Sequence, residues 1–329
     1  MWRRETGLTP SAAPGRATKR AVRAPVTLVC ALALLACEAP PDVEPDAGVE
    51  VDAGPTLTRL RVATFNVKLF FDATCQSGAC AAADFEQVLT PQAFDARAAQ
   101  LAQALSGFEA DVVSLQEFET QACLDAVLSR LTGVMPYGTL GEIGAPGSVD
   151  VAVLSKTPLD GVVLHRRYET LVRPDGTRTL FSRELLEAHV HVDGTEVVLF
   201  AAHFRSKSSD DPGRRLAEAQ VSRRLVTDVA TARPGALVVL AGDLNDFPGS
   251  PPLDALTADG GLLRVAEDLP VADQATYVFN GRGEAIDHIL QAVTPAARVV
   301  PRSALVWKDT RGFAGSDHFA LTADFELTP

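Results

Sequence analysis

The strongest constraint in this chain is the way its apolar runs end. Short aliphatic and β-branched stretches stop, one after another, on a carboxylate, an amide or an imidazole. Asn66 closes Val62-Ala63-Thr64-Phe65, Glu117 closes Val112–Gln116, and His203 closes Val197–Ala202. Asp243 and Asn245 follow Val238-Val239-Leu240-Ala241-Gly242, Asp287 leads into Ile289-Leu290, and Asp317-His318 precedes Ala320-Leu321. Runs of this length read as strands, and polar groups at the ends of apolar strands converge on one sheet edge. Gathering so many carboxylates is unfavourable unless a cation or a phosphate sits among them. Singly, each has an ordinary explanation. Asn66 and Asp243–Asn245 suit turns, Glu117 a strand exit, His203 a satisfied core position and Asp287-His288 a surface pair. Together the ordinary explanation needs six coincidences, so a shared site is the better reading.

The rest of the pattern alternates strands and helices. Strands are expected at Leu60–Val67, Asp111–Gln116, Val149–Leu154, Glu187–Val192, Glu196–Ala202, Ala236–Leu240, Ala285–Gln291 and Leu321–Phe325. Thr90-Pro91 opens a helix that sets Phe94, Ala98, Leu101 and Leu105 on one face, and Gly107 ends it. A second helix runs from Arg214 to about Ala230. Several strands are apolar throughout, so both faces of their sheets must be covered. Stacked sheets with helices outside, in one α/β domain over residues 58–329, fit this order.

The first 57 residues read differently. Six basic residues up to Arg23, against the single acid Glu5, precede an apolar run from Ala24 to Ala36. That run is too short to span a bilayer and suits the core of a secretory signal, residues 1–36. It ends in Leu34-Leu35-Ala36-Cys37, which resembles a bacterial lipobox and implies lipidation of Cys37 after cleavage; a plain signal with an incidental cysteine is the alternative. Residues 37–57 are acidic and rich in proline and glycine, a tether with nothing to pack. Export places the protein outside the cytoplasm on a bacterial membrane, facing periplasm or cell surface. In such a compartment Cys75 and Cys80 can close a small loop across Gln76-Ser77-Gly78-Ala79, while Cys123 stays a buried thiol.

Charge narrows the partners. The whole chain carries −12, and without residues 1–36 it keeps 24 basic against 41 acidic residues, or −17. A domain this acidic does not hold nucleic acid by overall charge, so a polyanionic substrate needs a local basic rim or bound cations.

The motifs together resemble the endonuclease/exonuclease/phosphatase superfamily, which includes deoxyribonuclease I, abasic-site endonucleases, bacterial sphingomyelinases and inositol-polyphosphate phosphatases. The resemblance covers residues 58–327 through Thr64-Phe65-Asn66-Val67, Leu115-Gln116-Glu117, Asp150–Ser155, His203-Phe204-Arg205-Ser206-Lys207, Gly242-Asp243-Leu244-Asn245-Asp246, Ile286-Asp287-His288-Ile289 and Gly315-Ser316-Asp317-His318. It implies a four-layer α/β-β/α sandwich of two mostly antiparallel sheets flanked by helices. It also implies metal-dependent phosphoester hydrolysis. Glu117, Asn66 and Asp317 then lie at Mg²⁺ or Mn²⁺, with Ca²⁺ also admitted, and hard oxygen ligands agree with that. Asp243 activates water, Asn245 holds a phosphate oxygen, His203 and His318 face the phosphoryl group, and Asp287 fixes His318. Arg183, in Phe181-Ser182-Arg183-Glu184, resembles a phosphate-contacting arginine of the nuclease branch, with a surface strand arginine as the alternative, and Arg205, just after His203, is a second candidate to flank the phosphate. Asp150 departs from the residue some members place near the phosphate, and Asp72 matches an acid of deoxyribonuclease I only weakly.

Substrate stays open between three readings. Tyr277–Gly283 resembles the same stretch of secreted bacterial nucleases, and Arg205, Lys207, Arg214, Arg215, Arg223 and Arg224 form the densest basic stretch of the mature chain. These favour nucleic acid. A phosphatase or sphingomyelinase-like esterase fits a membrane tether, but no exposed aromatic hairpin is evident in the sequence for an interfacial enzyme. An inactive binding module requires damage to the motif set, and none is visible. No obligate protein partner is indicated.

Overall fold

Strand β1 (Thr58–Phe70) begins the part of the chain, residues 58–328, that this computed structural model describes. The expected signal, tether and Cys37 lie outside the described residues. Helix α1 (Pro91–Gly107), β2 (Val112–Phe118) and α2 (Gln121–Leu128) come next. Then follow β3 (Tyr137–Gly141), β4 (Asp150–Ser155), β5 (Leu159–Leu164) and a small hairpin of β6 (Leu171–Val172) with β7 (Arg178–Thr179). The middle holds β8 (Leu186–Val192), β9 (Thr195–His203), α3 (Pro212–Ala232), β10 (Ala236–Asp243) and α4 (Pro251–Thr257). After β11 (Leu263–Arg264) comes a hairpin of β12 (Tyr277–Phe279) and β13 (Arg282–Glu284). The last elements are β14 (Asp287–Gln291), β15 (Ala297–Val299), β16 (Leu305–Trp307), α5 (Thr310–Phe313) and β17 (Ala320–Leu327).

The long strands form two sheets. One runs β15-β17-β1-β2-β4-β3, with β16 also on β17, and the other β11-β14-β10-β9-β8-β5. Each contains one parallel pair, β1 with β2 and β9 with β10, among antiparallel neighbours. Strand parity explains the layers, because successive side chains point to opposite faces. Leu60 and Val62 of β1 pack with Val197, Leu199, Leu237, Val239 and Ile289 in a core between the sheets. Ala63, Phe65 and Val67 point the other way, onto Ala98, Leu101 and Leu105 of α1 and Leu124 of α2. Val198, Phe200, Val238 and Leu240 likewise meet Ala219, Val226 and Leu253 of α3 and α4. This is the expected sandwich with a helical layer on each side. Each large side chain buried in it contributes about 1.5–3 kcal/mol.

Local chemistry sets the boundaries. The Thr90 side chain accepts from the Ala93 backbone N–H ahead of Pro91, and the Asp211 carboxylate caps α3 through Arg214, two residues before the expected start. The expected strand at 285–291 begins at Asp287, because the Thr276 hydroxyl accepts from the Ile286 and Asp287 N–H groups and turns the chain there. Cys75 and Cys80 form a disulfide with Cα atoms 6.1 Å apart, and Cys123 is a buried free thiol. Among the described residues no helix is long and apolar enough to cross a membrane.

Gly242 is where β10 touches β9 most closely. A Cβ there would lie 1.9 Å from the Ala202 carbonyl oxygen, which is backbone and cannot swing aside. Gly242→Ala should therefore lose at least the ~1–3 kcal/mol of an overpacked core. A thermal melt within a degree or two of the parent's would contradict that account of the strand pair.

Candidate active site

Both parallel strands of the first sheet break at the same level. The β1–β2 register shifts between Asn66 and Phe70, and the β2–β4 register shifts between Gln116 and Phe118. Lys68, Leu69 and Glu117 take positive φ angles of 59°, 43° and 72° there. Non-glycine residues adopt that conformation at a cost, and it clusters at functional sites. The break turns Glu117 out of the pleat: its carboxylate accepts from Leu69 N at 2.7 Å and from Asn66 Nδ2 at 3.1 Å.

Asn66 also donates to Asp243 Oδ2 at 3.0 Å, and its own Oδ1 accepts from Lys68 N at 3.0 Å. The amide thus presents its NH₂ group to the two carboxylates and links them across the sheets, while its oxygen serves the local turn. Parity delivers the facing residues. Asn66, His203, Asp243 and Asp287 share the inward face of their strands with the apolar residues of the inter-sheet core. Asp243 Oδ2 is the focus, 3.6 Å from His203 Nε2 and 3.9 Å from His318 Nε2. Asn245, at φ 52°, donates its backbone N–H to Asp243 Oδ1 at 2.9 Å and its side-chain amide to the Phe204 carbonyl.

The two histidines differ in charge. Burial alone would depress His318, but Asp287, bonded to its Nδ1 at 2.9 Å, and the nearby Asp243 raise it to about 10. His203 is pushed well below its ordinary value by burial, then by the positive charges of Arg183 and His318. One imidazolium and one neutral imidazole therefore flank Asp243. Burial first, then the charge of Asp287, raises the Asp243 carboxyl. Ser316 completes the frame, donating to the Asn66 carbonyl at 2.7 Å and accepting from His318 N at 3.0 Å.

These residues open onto a cavity of about 530 Å³ lined by Lys68, Glu117, His203, Lys207, Asp243, Asn245, Tyr277, Phe279, Asp317 and His318 among others. Asp317 is on its rim, paired with Lys68 at 3.1 Å. Other expected residues lie behind or beside it. Arg183 donates Nε to the Val149 carbonyl at 2.6 Å and is not among the lining residues, so it acts here as a positive charge behind His203. Arg205 does not line the cavity either, and its backbone N–H goes to the fully buried Glu218, which also holds Ser182 N. Asp287 and His288 are both buried, with His288 on the outward face against the Asp246 carbonyl, so they are no surface pair. Asp72 and Asp150 lie outside the lining, among other acids.

The basic stretch is spent on structure. Arg215 is buried against Asp246 and Asp210, Arg224 pairs with Glu169, Arg214 donates to the Leu180 carbonyl, and Arg223 donates to the Ala255 carbonyl. Lys207 alone of that group is among the residues lining the cavity, paired with Asp246 at 3.1 Å and sitting 4.3 Å over the Phe247 ring. Sequence reasoning missed Lys68 and Phe247. It also saw no exposed aromatic hairpin, and here the structure corrects it. The β12–β13 hairpin stands at the cavity mouth with Val278 and Phe279 about half exposed, and Tyr277 packs on the His318 ring at 4.8 Å. Asn280-Gly281 was the available signal: Asn280 at φ 49° and Gly281 at φ 77° form the two-residue turn that such dipeptides favour.

A divalent cation suits the donors at the cavity. Glu117, Asp243 and Asp317 offer hard carboxylate oxygens there, the set that Mg²⁺, Mn²⁺ and Ca²⁺ prefer. His318 is held as a cation by Asp287 and is a poor ligand in that state.

A buried carboxylate between two histidines of unlike charge, with further carboxylate oxygens beside it, is a site suited to phosphoester hydrolysis. The chain belongs to the Endonuclease/Exonuclease/phosphatase family, whose model matches residues 63–318. Among solved structures it is similar to an endonuclease/exonuclease/phosphatase from Bacteroides vulgatus, at 18% identity, TM-score 0.59, covering 82% of this chain and 100% of that one. TDP2 from C. elegans is also similar, at 16% identity, TM-score 0.57, covering 84% and 78%. So is the catalytic domain of human Nocturnin, at 18% identity, TM-score 0.55, covering 82% and 95%. These likenesses establish the shared fold. No curated protein sequence matches the chain.

Proposed function

We propose that the protein is an exported, lipid-anchored phosphodiesterase that cleaves nucleic acid with Mg²⁺ or Mn²⁺. The observation that carries this reading is the rim of the cavity. Lys68 and Lys207, each paired with one carboxylate, stand at its mouth, and the half-exposed Phe279 lines it with Phe247 behind Lys207. A phosphodiester flanked by planar bases matches both, since stacking on aromatic rings is worth about 1–3 kcal/mol per base. The DNA-bound TDP2 of D. rerio, 18% identical with TM-score 0.56 over 82% of this chain, lends the substrate class plausibility.

The residues divide the work as follows. Asp243 takes the proton of the attacking water, with Asn245 N and Asn66 Nδ2 holding its two oxygens in place. His318, kept protonated by Asp287, donates to the phosphoryl oxygens where charge builds up. His203 contributes a neutral N–H beside them. Glu117, with Asp243 and Asp317, would hold the cation, which supplies Lewis-acid stabilisation of the phosphoryl group.

A second reading has one observation in its favour: the half-exposed Val278 and Phe279 of the hairpin suit insertion into a lipid surface. Purified protein tested with Mg²⁺ on plasmid DNA, RNA and sphingomyelin vesicles separates the two. Nucleic-acid cleavage with KM raised about tenfold by Phe279→Ala supports base stacking. Turnover confined to vesicles would replace it with the lipid reading. Turnover of neither, with cation binding intact, would leave a binding module. The tether is tested separately: Cys37→Ala should move the protein from the membrane to the soluble fraction, and unchanged sedimentation would sink the lipid anchor.

A further inference from the structure

Beside the catalytic cavity, on the far side of β2, the chain gathers carboxylates that the proposed reaction does not use. Asp72, Glu86, Glu119, Glu142 and Asp150 come from four separate segments. Most of their oxygens are spoken for. Asp72 accepts from Thr74 N, Gln76 Nε2 and Thr120 Oγ1. Glu86 accepts from Gln76 N and Ser77 N, and Glu119 Oε2 from Asp72 N at 2.8 Å. Ser148 Oγ donates to Asp150 Oδ2 at 3.1 Å.

Three buried oxygens lack a donor at ordinary hydrogen-bond geometry: Gln76 Oε1, Glu119 Oε1 and Asp150 Oδ1. The Ile143 backbone acts on the Asp150 carboxyl, and Glu119 faces Glu86, with which it can share a proton. Glu119 is only 4% exposed and Asp150 only 1%. All three residues line one open cavity of about 330 Å³, which Thr120, Glu142 and the 144–148 loop also line. All three atoms are acceptors, and Glu86 and Asp72 add like charge beside Glu119. Arg183 is the cation that acts on Asp150 from behind.

Buried acceptors without donors cost about 1–3 kcal/mol each, more when charged. A proton can relieve one carboxylate, but it leaves the other carboxylate and the amide oxygen of Gln76 unserved. A divalent cation can serve three oxygens together, and the cavity has room for water on its remaining positions. Carboxylates and an amide carbonyl presented by loops are Ca²⁺ donors, tolerant of irregular geometry.

We propose that Gln76, Glu119 and Asp150 form a second, structural Ca²⁺ site. It joins the disulfide-closed loop Cys75–Cys80, the turn after β2 and the loop before β4, independently of the catalytic cation. The occupant ties these three segments together two residues beyond Glu117, at the edge of the active site.

The test is made on the full chain carrying Glu117→Gln, which removes the main ligand of the catalytic cation, with melting as readout. After chelation, Ca²⁺ at a hundredfold excess over Kd should raise the melting temperature by roughly 5–10 °C. Equilibrium dialysis should count one bound Ca²⁺. Adding Asp150→Asn should abolish both signals. Gln76→Leu, which leaves the charge unchanged on a half-buried side chain, should weaken binding at least tenfold if Asp150→Asn fails to fold. No Ca²⁺ shift in the Glu117→Gln protein overturns the site, as does a shift that survives both substitutions. Stabilisation by acid alone, with none by Ca²⁺, would show that shared protons hold the cluster instead. None of these outcomes depends on turnover, so the catalytic proposal stands or falls separately.

Discussion

Asp243→Asn should lower turnover roughly 10³-fold or more while leaving the fold intact, because the asparagine keeps the shape but cannot accept the proton of water. Its effect on stability should have the opposite sign. Asp243 is buried, and burial together with Asp287 raises its folded pKa above the unfolded carboxylate value near 3.9. A group raised on folding contributes stability at low pH and loses it as pH rises through the folded value. At pH 8 the parent therefore carries an unfavourable buried charge that the asparagine variant lacks. Melted without divalent cations at pH 8, Asp243→Asn should equal or exceed the parent. A much lower melting temperature would mean that Asp243 is a structural support, and residual activity near the parent's would remove it from the mechanism.

Asp287→Asn should cost about 10²–10⁴-fold in kcat, chiefly through His318, while the lost charge also lets the Asp243 carboxyl fall. In the parent, His318 is held near 10, above its unfolded value of about 6.5. That pair stabilises the fold fully below the unfolded value, and the contribution is lost as pH rises through the folded one. Without the Asp287 charge, burial depresses the imidazole, and the alkaline limb of the rate profile should move down toward neutrality. Stability at pH 6 should fall by about 3–5 kcal/mol, the usual loss when one partner of a buried pair is removed. A pH–rate profile that keeps its alkaline limb would show that His318 acts without Asp287.

Much of this was legible before any coordinates. Asn66, Glu117, His203, Asp243, Asp287 and His318 were visible because each interrupts an apolar strand, and the two-residue period then put the inward-facing ones on one face. The four layers followed from strands apolar on both faces. What could not be read was direction and reach. Nothing local says that Glu117 takes φ 72°, since that strain is held by the shifted pairing of β2 with β4. Nor does sequence distinguish Lys207, which lines the cavity while pairing with Asp246, from Arg215, which is buried between Asp246 and Asp210. The hairpin is not legible in sequence because Val278 and Phe279 look like any short strand, and only the fold leaves them half exposed at the cavity mouth. Asn66 was expected at the cation, and only its full hydrogen-bond set shows the NH₂ group turned inward.

The pairing of the first and last long strands sets a timetable. Strand β17 lies against β1 from Thr58↔Leu327 to Thr64↔Leu321, and Ser316 reaches across 250 positions to the Asn66 carbonyl. While the chain is being made, β1 leaves the ribosome long before the strand it pairs with. His318 arrives among the last residues. The catalytic pair with Asp287 can close only after nearly every other element is in place. A chain that lacks this last strand is thus chemically idle. Any hydrolysis belongs to the completed domain.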